Sequence, residues 1–359
     1  MAEMHLIANA PLRAAMRTLV KGCGSSDAEA GAVADNLVDA NLAGHDSHGI
    51  GMLPRYVGAV REGSLKVNAH VRTVLDAGAL LRLDGETGFG QVVGAEAMTL
   101  GIARARELGC AIVALGNAHH LGRIGAWAEM AVAEGLISLH FVNVLARPIV
   151  APHGGVTAGF GTNPFTAGVP LNGRPPMILD FATSTIAQGK TRVAYNKGEP
   201  VPEGCLIDDA GRASTDPRWT VVQPFGALLP FGRHKGSGLA VLCELLGGAL
   251  GAGLVGHRGD ATKQRVQNGM LSVIIDPRAL HGGDEWQAAA EDFVASLLQI
   301  APREGHERVL LAGDPERRHR ERRLAEGLPV DATTWQQILD AATSLGMDAA
   351  ALHRSAGLA

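Results

Sequence analysis

Near residue 70 the hydrophobic periodicity changes, and this change limits the fold more than any other feature of the chain. Before it, apolar residues recur at helical spacing. Leu12, Ala15, Met16, Leu19 and Val20 share one face of a first helix. Asn9 can cap it, Pro11 suits its first turn, and Gly22 and Gly24 stop it. Ser26 and Glu29 have the spacing of a capping box, opening a second helix with a stripe of Val33, Leu37, Val38 and Leu42. Gly44 suits the end of that helix. A third helical piece covers residues 53–60. After it, β-rich runs at 71–75, 79–83, 111–115, 136–142, 177–181 and 271–275 are interspersed with helical runs. The helices are expected at 92–108, 124–133, 236–250, 286–298, 316–326 and 334–345. Such alternation of strand, loop and helix belongs to α/β proteins. Residues 143–164 and 196–232 read as irregular, and the 236–250 helix as buried.

A chain of 359 residues is too long for one simple core. Hydrophobic residues make up 46% and aromatics only 4%, so the cores are aliphatic. The net charge is −4, and the densest basic stretch, from Arg317 to Arg323, is interleaved with Glu316 and Glu321. That is a solvated helix face, and no nucleic-acid partner is expected. Cys23, Cys110, Cys205 and Cys243 form no CxxC pair, which points to reduced thiols and a cytoplasmic protein. Residues 1–20 lack the apolar core of a secretory signal, and Glu244 and several glycines interrupt the longest apolar run, 236–255. No membrane partner is expected.

Proton-handling chemistry concentrates in Gly44-His45-Asp46-Ser47-His48-Gly49. Histidine titrates near neutrality, and Ser47 or Asp46 could orient the His48 ring. One HxxH pair supplies two metal ligands where zinc wants three or four, so no metal is expected. The rival class is a metal-dependent hydrolase or lyase using His45, His48, His119 and His120. A second loop, Asn117-Ala118-His119-His120-Leu121-Gly122, places His120 just past a strand end, where α/β sheets hold ligands. The N–H groups of Gly122, Arg123 and Ile124 would open the next helix and could attract phosphate. Lys235 in His234-Lys235-Gly236-Ser237-Gly238 could hold a phosphate or carboxylate, without the glycine spacing of a P-loop. Thr162, Thr183 and Ser184 could bond a substrate carboxylate or a nicotinamide amide. Gly251 to Gly256 spells GxGxxG, with Asp276 20 residues beyond. The preceding run reads as helix, however, and residues 257–265 lack an apolar face, so this is expected to be a helix end and not a dinucleotide fingerprint.

Asp46-Ser47-His48-Gly49, Asn117 to Gly122, Gly161-Thr162-Asn163-Pro164, Asp180 with Ala182-Thr183, and Lys235-Gly236 together resemble the malate/L-lactate dehydrogenase family of the second, non-Rossmann kind. The order holds over nearly the whole chain. Residues 40–54, 119–125 and 189–194 are similar to its bacterial hydroxycarboxylate branch. The resemblance implies an α/β (α+β) fold. A mixed-sheet cofactor domain would span 71–329, with a helical domain formed by 1–70 and 330–359, in a homodimer. It implies hydride transfer between NAD(P) and a 2-hydroxy or 2-oxo carboxylic acid. By position, His48, His120, Ser47 and Asp180 would be catalytic, with either histidine as the proton carrier. His48, Gly122, Arg123, Ile124, Asp180, Phe181, Ala182, Thr183, His234, Lys235, Asn268, Gly313, Asp314, Pro315 and Glu316 would line the cofactor. Many members have arginine where this chain has Met52. The substrate carboxylate must then find Arg55, Arg123 or Arg192, with Thr162 nearby, and Met52 would suit a bulky or aromatic substrate side chain. The family's Pro-Gly-Glu reads Ala312-Gly313-Asp314 here. Asp314 and Glu316 favour ribose hydroxyls, hence NAD over NADP. A related alternative is reduction of a cyclic imine carboxylate.

Overall fold

The computed structural model describes residues 4–256, 266–281 and 285–358. Strand β1 (Met4–Ile7) leads into helices α1 (Asn9–Gly22), α2 (Asp27–Leu42) and α3 (Leu53–Arg61). Ala8, not Asn9, is the N-cap of α1; Asn9 lies inside the helix, where its Oδ1 accepts from Arg13 Nε at 2.9 Å. Half of the expected capping box forms. Ser26 Oγ accepts from Glu29 N at 3.2 Å, but the buried Glu29 carboxylate reaches Asn68 N instead, tying α2 to the chain before the sheet.

Strands β2 (Arg72–Ala77) and β3 (Leu80–Asp84) form a hairpin, followed by α4 (Gly90–Leu108) and β4 (Cys110–His119). Next come α5 (Gly125–Ala133), β5 (Ile137–Leu145), β6 (Phe165–Val169) and β7 (Met177–Phe181). Helix α6 (Gln188–Lys197) leads into the stretch read as loop, where only the short β8 (Leu206–Ile207), β9 (Ala213–Ser214), α7 (Arg218–Val221) and β10 (Ala227–Leu228) interrupt mostly irregular chain. The chain continues through α8 (His234–Cys243), a π segment (Glu244–Ala249) and α9 (Leu250–Ala252). Then follow β11 (Gln267–Ile275), α10 (Pro277–His281), α11 (Glu285–Leu298), α12 (Asp314–Glu326), β12 (Leu328–Asp331), α13 (Ala332–Ser344) and α14 (Ala349–Ser355).

The main sheet is mixed and seven-stranded, in the order β2-β3-β4-β11-β5-β6-β7. Only β3 and β4 run parallel; β11 inserts antiparallel between β4 and β5. This is not a doubly wound Rossmann sheet. Gly253 (φ +68°) caps α9, so GxGxxG is a helix end as expected, while residues 257–265 lie outside the described set. The expected burial of the helix after Gly236 holds on one side only: Leu242, Leu245 and Leu250 are exposed.

Two large hydrophobic cores result. One packs Leu12, Leu37, Leu53 and Tyr56 from the N-terminal segment against Trp335, Ile338 and Leu352 from the C-terminal one, which β1 and β12 pair. The other packs α4 and α5 on the sheet through Val93, Met98, Leu115, Trp127 and Ile274.

Candidate active site

His48 ends a short 3-10 turn, Asp46–His48, that leaves α2 through Gly44 (φ +85°). His120 follows the last residue of β4. The fold brings their rings to 5.6 Å between centroids, 20° from parallel. Asp46 does not orient His48. Its carboxylate takes Arg323 Nη2 at 2.9 Å and Asn41 Nδ2 at 2.7 Å, while Asn41 Oδ1 accepts from Ile50 N at 2.8 Å. Arg323 on α12 and Asn41 on α2 thus clamp the turn from both sides. Ser47 does contact the ring, with Oγ 2.9 Å from His48 Nδ1.

The segment expected as a loop from 117 is strand as far as His119. Asn117 sits at φ +54°, which asparagine tolerates better than most residues, and the pairing of β4 with β11 shifts register between Asn268 and Met270. His119 is fully buried, edge-on to Tyr56 at 5.4 Å. His120 faces Tyr56 differently: the phenol oxygen is 2.7 Å from Nδ1. Gln91 Nε2 lies 3.1 Å from that oxygen and 3.3 Å from the His120 carbonyl. Asn268 supports the same turn, its Oδ1 accepting from Leu121 N at 2.8 Å and its Nδ2 donating to Asn143 O at 2.7 Å. Both ends of that amide serve the backbone.

Asp180 caps α5: Oδ2 accepts from Gly125 N and Oδ1 from Thr166 Oγ1, each at 2.8 Å. The helix start read as an anion site therefore already faces a carboxylate. Arg123, at the same start with Gly122 and Ile124, is 3% exposed and paired with Glu129, which turns it away from a substrate-carboxylate role. Thr183 Oγ1 donates to the carbonyls of Thr162 and Asn163, and Ser184 Oγ to that of Ile186. These hydroxyl hydrogens join strand ends and are not offered to a ligand. Phe181 packs edge-on to Phe231 at 5.3 Å, and Phe231 N donates to Thr183 O. This ties the end of β7, with Ala182, to the exposed His234 and Lys235 at the start of α8. Met52 is half-buried and packs against the helical core.

The start of α12 lies against the same region. Gly313 (φ +93°) precedes it and Pro315 fills its first turn. Glu316 Oε1 is 3.3 Å from His45 Nε2. Burial, the largest single influence, pushes its carboxyl up, but the His45 hydrogen bond, its own backbone N–H and the His45 and Arg123 charges together hold it below its ordinary range. Asp314 turns back on its own helix, accepting from Arg317 Nη2 at 2.6 Å and Leu311 N at 3.0 Å. Arg123, Asp180, Gly313, Glu316, Arg317 and Arg320 line a cavity of about 40 Å³.

Helix α6 closes the other side: a Cβ on Gly189 would lie 3.0 Å from Ser47 Cβ. One turn on, Arg192 is exposed. Burial first and the Arg192 charge lower the pKa of both Arg55 on α3 and Arg147 after β5. Arg147 stacks over Phe225 at 3.8 Å and donates to Thr220 O at 3.1 Å. Tyr56, Gln91 and Arg147 escape sequence reading. For Tyr56 a hint was present, since it is one of only two tyrosines and follows the Ser-His turn closely.

Burial pushes His48 down to about 4, against the pull of Asp180 and helped by His45 and Arg123. His120 lies well below the usual histidine range, chiefly through burial and then through His48. Both rings are neutral at pH 7. His140, fully buried between Ser272 Oγ (2.8 Å) and Ser138 Oγ (3.0 Å), is likewise lowered to about 4 by burial. The unfolded chain protonates such a ring first, so its contribution is complete above pH 6.5 and is lost as pH falls toward 4. The expected loss from this ring is about 1–2 kcal/mol by about pH 5. Urea midpoints measured across that range should fall for the native chain and fall less for His140→Gln; equal slopes would refute the assignment.

Among the described residues no cluster of three or more His, Cys, Asp or Glu side chains is placed to hold a metal. A mixed sheet with no strand-end glycine fingerprint among the described residues, and a histidine pair where it meets the helical layer, defines a non-Rossmann α/β protein. The sequence model of the malate/L-lactate dehydrogenase family matches residues 7–339. Hydroxycarboxylate dehydrogenase B of Escherichia coli K12 is 47% identical over 338 residues, 94% of this chain and 93% of that protein. L-lactate dehydrogenase of Cupriavidus necator is 41% identical over 318 residues, covering 88% of this chain and 90% of that protein. The solved sulfolactate dehydrogenase of Methanocaldococcus jannaschii superposes with a TM-score of 0.87 at 32% identity, covering 97% of this chain and 99% of that one. The chain belongs to the malate/L-lactate dehydrogenase family and is an oxidoreductase. The similarity read from residues 40–54 to the hydroxycarboxylate branch agrees with these comparisons.

Proposed function

We propose that the protein transfers hydride between NAD and a 2-hydroxy or 2-oxo carboxylic acid at the paired rings of His48 and His120. The single observation that carries this reading is the near-parallel pair of rings, His48 and His120, 5.6 Å apart. The residues present fit a nicotinamide dinucleotide. Flat imidazoles suit the nicotinamide end, Arg317 and Arg320 suit phosphate charge, and the Glu316 carboxylate suits ribose hydroxyls. Since Asp314 is engaged by Arg317, the preference for NAD over NADP rests on Glu316. When bound, the cofactor supplies or accepts the hydride. The protein's part is to hold the acid and manage one proton. Arg192, whose charge is felt by Arg55 and Arg147, is the cation suited to the substrate carboxylate. In reduction the His120 ring, once protonated, gives its Nε2 proton to the substrate oxygen as that becomes alkoxide-like and is left neutral. In the oxidative direction the neutral ring takes that proton back from the hydroxyl. Asp180, capping α5, favours positive charge on His48.

The two cores support a division into 1–70 with 330–359 and 71–329. Exposed Leu242, Leu245 and Leu250 support self-association as a homodimer, and the four free cysteines support a cytoplasmic location.

A panel of aliphatic and aromatic 2-oxo acids, followed by NADH absorbance, tests the activity. At least one acid should be reduced, with NADPH slower at the same low concentration. Arg192→Ala should raise KM for that acid by about tenfold to a hundredfold, with a smaller change in kcat. A panel that leaves NADH untouched, or an unchanged KM in the variant, would sink the respective part of the reading.

A further inference from the structure

Tyr56 and Gln91 stand outside every role assigned so far, yet both are among the most deeply buried polar side chains, at 1% and 2% exposure. They meet beside His120. A phenol oxygen can donate one hydrogen bond and accept two. Gln91 Nε2 occupies one accepting position, at 3.1 Å. The direction of the Gln91 amide is set by its other contact, the His120 carbonyl at 3.3 Å. Reversing it would press two carbonyl oxygens together in a dry site, where an unmatched polar pair is costly. With Gln91 donating, the Tyr56 hydrogen is free to point at His120 Nδ1, 2.7 Å away. Burial also raises the phenol well above its usual range, so that hydrogen is retained at neutral pH.

We propose that Tyr56, oriented by Gln91, is a positioning residue that locks His120 in the tautomer carrying its hydrogen on Nε2. The free enzyme then presents an N–H donor on the side of the ring away from Tyr56. Such a donor matches the carbonyl oxygen of a 2-oxo acid, which can only accept. This deepens, and for its kinetic consequence rests on, the reading of His120 as the proton-handling group.

The test begins with the free, ¹⁵N-labelled protein. Long-range ¹⁵N–¹H correlation at neutral pH should show His120 with a bare Nδ1 and a protonated Nε2. Tyr56→Phe keeps the ring and removes the donor. It should convert the pattern to a mixture of tautomers and lower kcat for oxo-acid reduction about tenfold, with KM and cofactor affinity little changed. Gln91→Met, which leaves the phenol in place, should give an intermediate mixture and carries the same test if Tyr56→Phe does not fold. A native pattern with hydrogen on Nδ1, or variants that leave both pattern and kcat unmoved, would overturn the proposal. If the tautomer lock behaves as expected but His120→Ala keeps native kcat, the lock stands and the proton role of His120 falls.

Discussion

His120→Ala is expected to lower kcat by about 10²–10⁴-fold while cofactor affinity changes little. The reason lies in the ring's surroundings. His120 is 9% exposed, its Nδ1 is held by a phenol, and its backbone is fixed by Gln91 and Asn268. Water has little access to substitute for the ring. Hydride arriving at a carbonyl carbon leaves charge on oxygen, and in a dry cleft that charge needs a proton donor within hydrogen-bond reach. His48 differs. It is only half-buried, and its Nδ1 contacts Ser47 on the same short turn. His48→Ala is therefore expected to weaken cofactor binding together with kcat, by about tenfold to a hundredfold. Both variants can be compared at saturating NADH. Should His48→Ala lose turnover more heavily while keeping cofactor affinity, the two roles must be exchanged.

How much of this could be read in the chain depends on the range of the interactions. The Ser26 cap, the Gly44 exit and the turn at Ser47-His48 are local, and helix periodicity with glycine placement exposes them. The α/β class followed from the switch of period near residue 70, while the mixed, non-Rossmann sheet came only with the family resemblance. What escaped was decided by distant partners. Asp46 looked like an orienter for His48 because the two are neighbours, but Arg323, 277 positions away, claims it. Tyr56 is 64 positions from His120, and no local pattern announces their contact. Glu29 satisfied the capping-box spacing yet spends its carboxylate on Asn68, 39 positions on. Helix α6 has mostly polar residues and buries only Thr191, so it lacks the apolar stripe that reveals a helix. Strand β6 is short and follows a long irregular stretch, and only its pairing between β5 and β7 makes it a strand.

One glycine shows how a packing constraint far from any motif controls the site. Gly90 begins α4, where alanine would ordinarily be favoured, though by less than the ~1 kcal/mol of a helix interior. A Cβ there, however, would lie 2.2 Å from His120 O and 2.6 Å from Leu121 Cα. Both are backbone atoms, so no side-chain rotation relieves the overlap. Leu121 is itself tethered to Asn268, and the end of β4 would have to move, breaking that bond and the one from Gln91 to His120 O. Gly90→Ala should therefore destabilise the protein by about 3 kcal/mol, since overpacking outweighs the gain in helix propensity. The fraction that remains folded should also turn over more slowly, because the displaced backbone carries the His120 ring with it. Gly31→Ala supplies the control. Gly31 lies inside α2, and a Cβ added to it would meet nothing within 4 Å. Only the propensity gain then operates, and stability should rise by up to about 1 kcal/mol. Urea unfolding of the two variants should thus move in opposite directions. If Gly90→Ala proves as stable and as active as Gly31→Ala, then α4 does not hold the His120 turn, and the geometry from which the catalytic reading starts is wrong.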